Sequence, residues 1–224
     1  MIFFLLLMFE PTKSGLSTGW GGMYLNEKGI SITGSRLYGI NETLSFLFNY
    51  NGRFNLAFSS FGIEDYREET MGIGIPVNFD YAILLIKGNL HYLREENDIR
   101  WGASSDMFLF WHYTNFSGGL NLISPLSYFS GDTVYGEEQI FFLMKSRNIR
   151  TGIKLSFIRG WGIEAGGGIE ISFGSLEVRS GFRTNPVVPT MGFSFVKSPF
   201  RFDFGFESHP VLGISESVTL RIGE

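Results

Sequence analysis

Phe200, Phe202, Phe204 and Phe206 alternate with Arg201, Asp203, Gly205 and Glu207. Successive side chains of a β-strand point to opposite faces. As a strand, this segment therefore has one face of phenylalanine only and another of charge and glycine; as a helix it would scatter both kinds around its circumference. The same period of two recurs in Leu44/Phe46/Phe48/Tyr50, Phe54/Leu56/Phe58, Met71/Ile73/Ile75/Val77, Met107/Leu109/Trp111/Tyr113, Ile153/Leu155/Phe157, Ile169/Ile171/Phe173 and Val218/Leu220/Ile222. No helical stripe of comparable length competes with it after residue 30, so the chain reads as all-β.

Turn signals cut the chain into strands at 30–38, 44–50, 54–61, 71–79, 81–93, 105–115, 119–127, 138–146, 151–159, 163–173, 175–183, 190–197, 200–207 and 214–222. Tight turns fall at Asn51-Gly52, at Asp80, near Ser117-Gly118, near Arg147-Asn148, at Gly174-Ser175 and at Ser198-Pro199, and Asn-Gly is a strong hairpin signal. Longer links are expected at 62–70, 94–104, 128–137, 184–189 and 208–213, with Gly160-Trp161-Gly162 the short exception. Short turns at one end, long loops at the other and an even strand number describe a transmembrane antiparallel up-and-down β-barrel. The count is fourteen strands, with twelve as the alternative, and both termini fall at the short-turn end. The long links carry Glu64, Asp65, Glu68, Glu69, Glu95, Glu96, Asp98, Asp132 and Glu137, which makes that end acidic.

A soluble β-sandwich also alternates, with its apolar side chains inward, so a soluble or surface-attached sandwich acting as a binding module is the rival reading. Strand lengths above the soluble mode of about 5 to 6 residues, the alternation of links and a polar face rich in Gly, Ser and Asn favour the barrel. At 224 residues, 24 of them Phe and 29 Gly, the chain suits one all-β domain. It contains no cysteine, which removes disulfides, thiolate metal sites and cysteine nucleophiles. A net charge of −4 without a Lys/Arg run argues against nucleic acid as a partner. Residues 1–14 are expected to be a truncated signal segment, because Met1 to Phe9 are apolar but too few to span a bilayer as a helix. Residues 15–29 form a glycine-rich stretch that would serve as a plug, and 30–224 form the barrel.

Histidine is the first place to seek acid-base or metal chemistry, and His91, His112 and His209 show no ligand spacing. Gly213-Ile214-Ser215-Glu216-Ser217 misses the nucleophile elbow of hydrolases. An enzyme would need a serine within hydrogen-bond reach of His91 or His112, and neither catalysis nor a cofactor is expected. Glu164-Ala165-Gly166-Gly167-Gly168-Ile169-Glu170 lacks the lysine and following helix of a phosphate loop and reads as a glycine-bent strand. Parity instead selects the groups that would face the lumen: Arg201, Asp203, Glu207, Glu177, Arg179, Arg183, Glu164, Glu170, Lys154 and His112. Each alternates with an apolar neighbour bound for lipid, and the near balance of acids and bases allows cross-strand pairing.

The segments Ser180-Gly181-Phe182-Arg183, Pro189-Thr190-Met191-Gly192-Phe193-Ser194-Phe195, Phe202-Asp203-Phe204-Gly205-Phe206 and His209-Pro210-Val211-Leu212-Gly213-Ile214-Ser215 resemble the closing strands of PorV/PorQ-type outer-membrane proteins. That family is related in architecture to the FadL-like fatty-acid transport barrels. Gly19-Trp20-Gly21-Gly22-Met23-Tyr24 resembles the glycine-rich segment before its first strand. The resemblance implies a fourteen-stranded barrel in the bacterial outer membrane. It would contact outer-membrane lipid and either pass an apolar small molecule or serve secretion-system proteins as a membrane platform.

Overall fold

The computed structural model describes residues 28–36, 44–63, 66–96, 98–129, 136–158, 162–184 and 186–223. The expected signal segment at 1–14, and all but the last two residues of the segment at 15–29, lie outside them, as do Trp20 and Trp161. The strands are β1 (Gly29–Arg36), β2 (Leu44–Asn51), β3 (Asn55–Ile63), β4 (Tyr66–Asn78), β5 (Ala82–Glu95), β6 (Asp98–Tyr113) and β7 (Phe116–Phe129). They continue as β8 (Glu137–Ser146), β9 (Ile149–Ile158), β10 (Gly162–Phe173), β11 (Leu176–Arg183), β12 (Val188–Lys197), β13 (Phe200–His209) and β14 (Gly213–Gly223). Each pairs antiparallel with the next, and β14 closes on β1 with Ile32 opposite Leu220. One closed sheet replaces the two sheets of the rival sandwich. Closure leaves no strand edge unpaired, which is what a sheet surrounded by hydrocarbon requires.

The two faces are inverted relative to a water-soluble protein. Met71, Ile73 and Ile75 are 61%, 61% and 67% exposed, whereas Arg179 and Asp203 are at 1% and 0%. Every apolar file read from the sequence lies on the outside, including Phe200, Phe202 and Phe206 on β13 and Ile153, Leu155 and Phe157 on β9. Aromatic rings mark both ends of this apolar band. Tyr81 and Tyr113 meet edge-on at 6.3 Å at the short-turn end, and Tyr92 and Trp101 at 4.9 Å toward the other. Interfacial belts of Trp and Tyr are where amphipathic rings settle on a bilayer.

The tight turns hold where they were expected except the one near Ser117-Gly118, which falls at Thr114-Asn115 because Phe116, Ser117 and Gly118 already pair with β6 as the start of β7; two long links do not hold. β4 begins at Tyr66, β5 runs to Glu95 and β6 resumes at Asp98, so 62–70 and 94–104 are mostly the tips of paired strands. The bounds of 184–189 and 208–213 shrink for the same reason, to links at 184–187 and 210–212. Past the hydrocarbon layer neither face must be apolar, so alternation fades while backbone pairing continues. β6, with 16 residues, exceeds the roughly 9 to 11 that a tilted span needs, and the β4–β7 side of the barrel is the tall side. At the short-turn end, Thr114, Arg147 and Gly174 open their two-residue turns at φ 49°, 48° and 63°, a conformation only glycine adopts without steric cost.

If the tall hairpins face outward from the cell, an epitope tag inserted beside Glu96 is expected to bind antibody on intact cells. One inserted at Asn51-Gly52 should bind only after permeabilisation. The opposite pattern would reverse the orientation.

Candidate functional site

Nine of the ten predicted lumen residues converge on the inner wall of β9 to β13 because the register sets their strands side by side. Glu170 lies opposite Arg150 on one side and Arg179 on the other. Arg179 Nε donates to Glu170 Oε2 at 2.9 Å, and its Nη2 donates to Asp203 Oδ1 at 2.7 Å. Asp203 is a hub: Arg201 Nε reaches the same oxygen at 2.9 Å, Arg221 lies 3.5 Å from the other, and the Ser194 hydroxyl donates to it. Glu177 completes the group at 2.7 Å from Arg201, and Arg150 binds Glu170 at 3.1 Å. These residues occupy the short-turn half of the wall.

A second cluster sits toward the loop end. Arg183 spans Glu164 at 3.4 Å and Glu207 at 3.6 Å, and Lys154 approaches Glu164 at 3.9 Å. His112, the tenth residue, keeps the inward parity but is not an interior histidine. It is exposed at the rim, two residues from the turn, with its ring stacked on Phe110 at 6.4 Å. The strand reaches its end before the lumen can enclose it.

Burying so many charges is tolerable only because each meets a counter-charge, and deleting one partner leaves an uncompensated ion. Asp203 facing three arginines is the extreme case. The glycine-rich stretch is the middle of β10, where Gly166 faces inward between Lys154 and Arg183. A Cβ there would meet the Phe182 carbonyl at 3.3 Å, so the backbones approach too closely for a larger residue without adjustment.

The opposite side of the barrel holds a polar group that parity alone did not single out. His91 Nε2 lies 2.8 Å from Ser104 Oγ and its Nδ1 lies 3.0 Å from Thr70 Oγ1; Asn89 donates to Ser104 at 3.2 Å and to Asp106 at 2.8 Å. The serine-histidine contact required of an enzyme is therefore present. Its surroundings are those of a wall network. The other ring nitrogen of the histidine meets a neutral threonine hydroxyl, and the carboxylate of Asp106 on the same wall accepts from Asn89 and lies 4.0 Å from Lys87. Among the described residues no cluster of three or more His, Cys, Asp or Glu is arranged to hold a metal ion.

Nor is the inner face wholly polar. Leu85, Phe108 and Ile123 pack together inside β5, β6 and β7, and Phe110, Phe141 and Leu143 are buried on the same wall. By strand order β6 and β7 lie half-way round the barrel from β13 and β14. An apolar wall and an arginine-rich one thus face each other across the short-turn half.

No protein-family model matches the sequence, and no curated protein sequence matches it. Solved structures do. The fold is similar to that of the outer membrane protein Omp33 of Acinetobacter baumannii, with a TM-score of 0.58 at 10% identity, covering 88% of this chain and 99% of that one. It is also similar to a variant of the Rh. blastica porin, with a TM-score of 0.50 at 9% identity over 88% and 98% of the two chains. The chain therefore has the closed antiparallel barrel fold of porin-like outer-membrane proteins.

Proposed function

We propose that the protein resides in a bacterial outer membrane and passes small solutes through its barrel. The observation that carries this reading is the inversion of the sheet: a continuous apolar exterior around an interior lined by ten or more charged groups on β9 to β14. That lining favours a polar or charged solute, since every ion pair on the wall is a potential exchange partner for a passing ion. Passage of an apolar small molecule, as in FadL-like barrels, finds support only in the Leu85, Phe108 and Ile123 wall. The secretion-platform role of PorV/PorQ-type proteins would use the tall β4–β7 side, whose strand tips rise beyond the apolar band.

Planar bilayer recording separates these readings. Purified protein is expected to insert in discrete conductance steps. Replacing Arg150 and Arg201 together by Gln should lower the anion-to-cation permeability ratio by roughly twofold, because fixed lumen charge sets local ion concentration. Inserted protein that never conducts would refute the channel and leave the platform.

A further inference from the structure

Outward-facing cations are rare on this barrel. Among the described strand residues they are Arg36, Arg67, Arg94 and, at the short-turn end, Lys197. The three arginines share one level. Register places Glu216, Arg36, Leu44, Gly62, Arg67 and Arg94 directly side by side across β14, β1, β2, β3, β4 and β5. The row immediately below on the same face includes Gly34, Ser60, Tyr92 and Trp101, and the row below that is apolar, with Ile32, Phe48, Phe58, Met71 and Leu90. Since Tyr92 and Trp101 mark the interface, the arginines stand at headgroup height.

Between them the surface is hollow. A groove of about 940 Å³ runs over Gly34, Ser60 and Gly62, walled by Leu44, Phe46 and Val218 and rimmed by the three arginines and Glu216. A Cβ built on Gly34 would meet nothing within 4 Å. Arg67 and Arg94 are directly opposed across β4 and β5, and like charges so placed destabilise a sheet. Glu69 binds Arg67 at 2.6 Å and Glu216 binds Arg36 at 2.8 Å, so acidic side chains hold two of the guanidinium groups at the rim.

We infer that this groove binds a phosphate-bearing membrane lipid of the leaflet at the loop end. Its phosphate lies among the arginines and one acyl chain fills the crevice over Gly34 and Ser60. Arginine suits this task, since its guanidinium fork meets phosphate oxygens in paired, charge-assisted hydrogen bonds. A protein partner would find no flat patch here, because the hollow is walled by side chains that must otherwise meet hydrocarbon.

The inference rests on the membrane reading above, and its test keeps the two apart. The full chain is reconstituted in phosphatidylcholine nanodiscs doped with diphosphoryl lipid A or with its dephosphorylated form, and retained lipid is counted by native mass spectrometry. One diphosphoryl lipid A per chain is expected. Arg67→Gln with Arg94→Gln should weaken retention about tenfold, as the loss of charge-assisted contacts implies. Gly34→Leu should displace the lipid without changing any charge. Heat-modifiable gel mobility checks that each variant is a folded barrel. Equal retention of the dephosphorylated lipid, or retention unchanged in the double variant, would overturn the site while leaving the barrel in the membrane. Protein that never enters the discs would instead refute the membrane reading, and a dimer joined through this face without lipid would assign the groove to a second copy.

Discussion

Phe204→Arg is expected to abolish insertion into bilayers. Phe204 faces outward in the middle of β13 and stacks on Phe193 with ring centroids 4.7 Å apart. An arginine near the bilayer midplane of a barrel costs about 2 to 4 kcal/mol, and loss of the aromatic pair removes roughly 0.5 to 1.5 kcal/mol more. Adding Phe206→Arg repeats the charge penalty one outward position away. The neighbouring change Asp203→Asn touches only the lumen, so insertion should survive it. The check is the fraction of refolded protein that migrates as the compact form in unheated gels after incubation with lipid vesicles. Well-folded Phe204→Arg protein that needs no detergent would mean that this face does not meet lipid.

Arg179→Ala should cause the largest loss of stability among lumen variants. Its side chain is fully buried and ties Glu170 on β10 and Asp203 on β13, with Glu177 at 3.7 Å. Removing it strands acidic groups that it neutralises, and breaking a buried pair from one side costs about 3 to 5 kcal/mol. Arg150 and Arg201 can absorb part of that loss, because each already contacts one of the same carboxylates. The expected readout is a lowered urea midpoint for unfolding from vesicles, with insertion itself retained. A midpoint equal to that of the unaltered protein would mean that the network does not hold the wall together.

The residues explain which parts of this structure could be read in advance. β13 was legible because its outward positions from 200 to 206 are all phenylalanine and its inward ones include Arg201, Asp203 and Glu207, a contrast that fixes both strand and face. The same parity placed Glu164, Glu170, Arg179 and Arg183 inside, where they pair. The tips of β4, β5 and β6 were not legible. Above the hydrocarbon layer, Arg67, Glu68 and Glu69 follow one another without alternation, and nothing in such a run separates a solvated strand from a loop. The apolar wall was missed for the opposite reason. Ile83 to Ile86 are apolar on both faces, and Phe108 and Phe110 interleave the outward file of Met107, Leu109 and Trp111 with residues just as apolar, so the expectation of a polar inner face does not find them. The contact of His91 with Ser104 depends on the pairing of β5 with β6, which puts Asn89 opposite Ser104 and brings the histidine alongside. The shift of register between Ser105 and Asp106 on the far side of β6 is likewise invisible in composition.

The central claim is that one face of the sheet meets lipid and the other does not. Because the chain has no cysteine, a single cysteine can be placed at each position from 200 to 207, labelled with an environment-sensitive fluorophore and reconstituted in vesicles of brominated-chain lipid. Quenching is predicted to be strong at 200, 202, 204 and 206 and weak at 201, 203, 205 and 207. Uniform quenching along β13, or strong quenching at the positions of Arg201 and Asp203, would contradict a barrel with a lipid-facing exterior and a charged lumen.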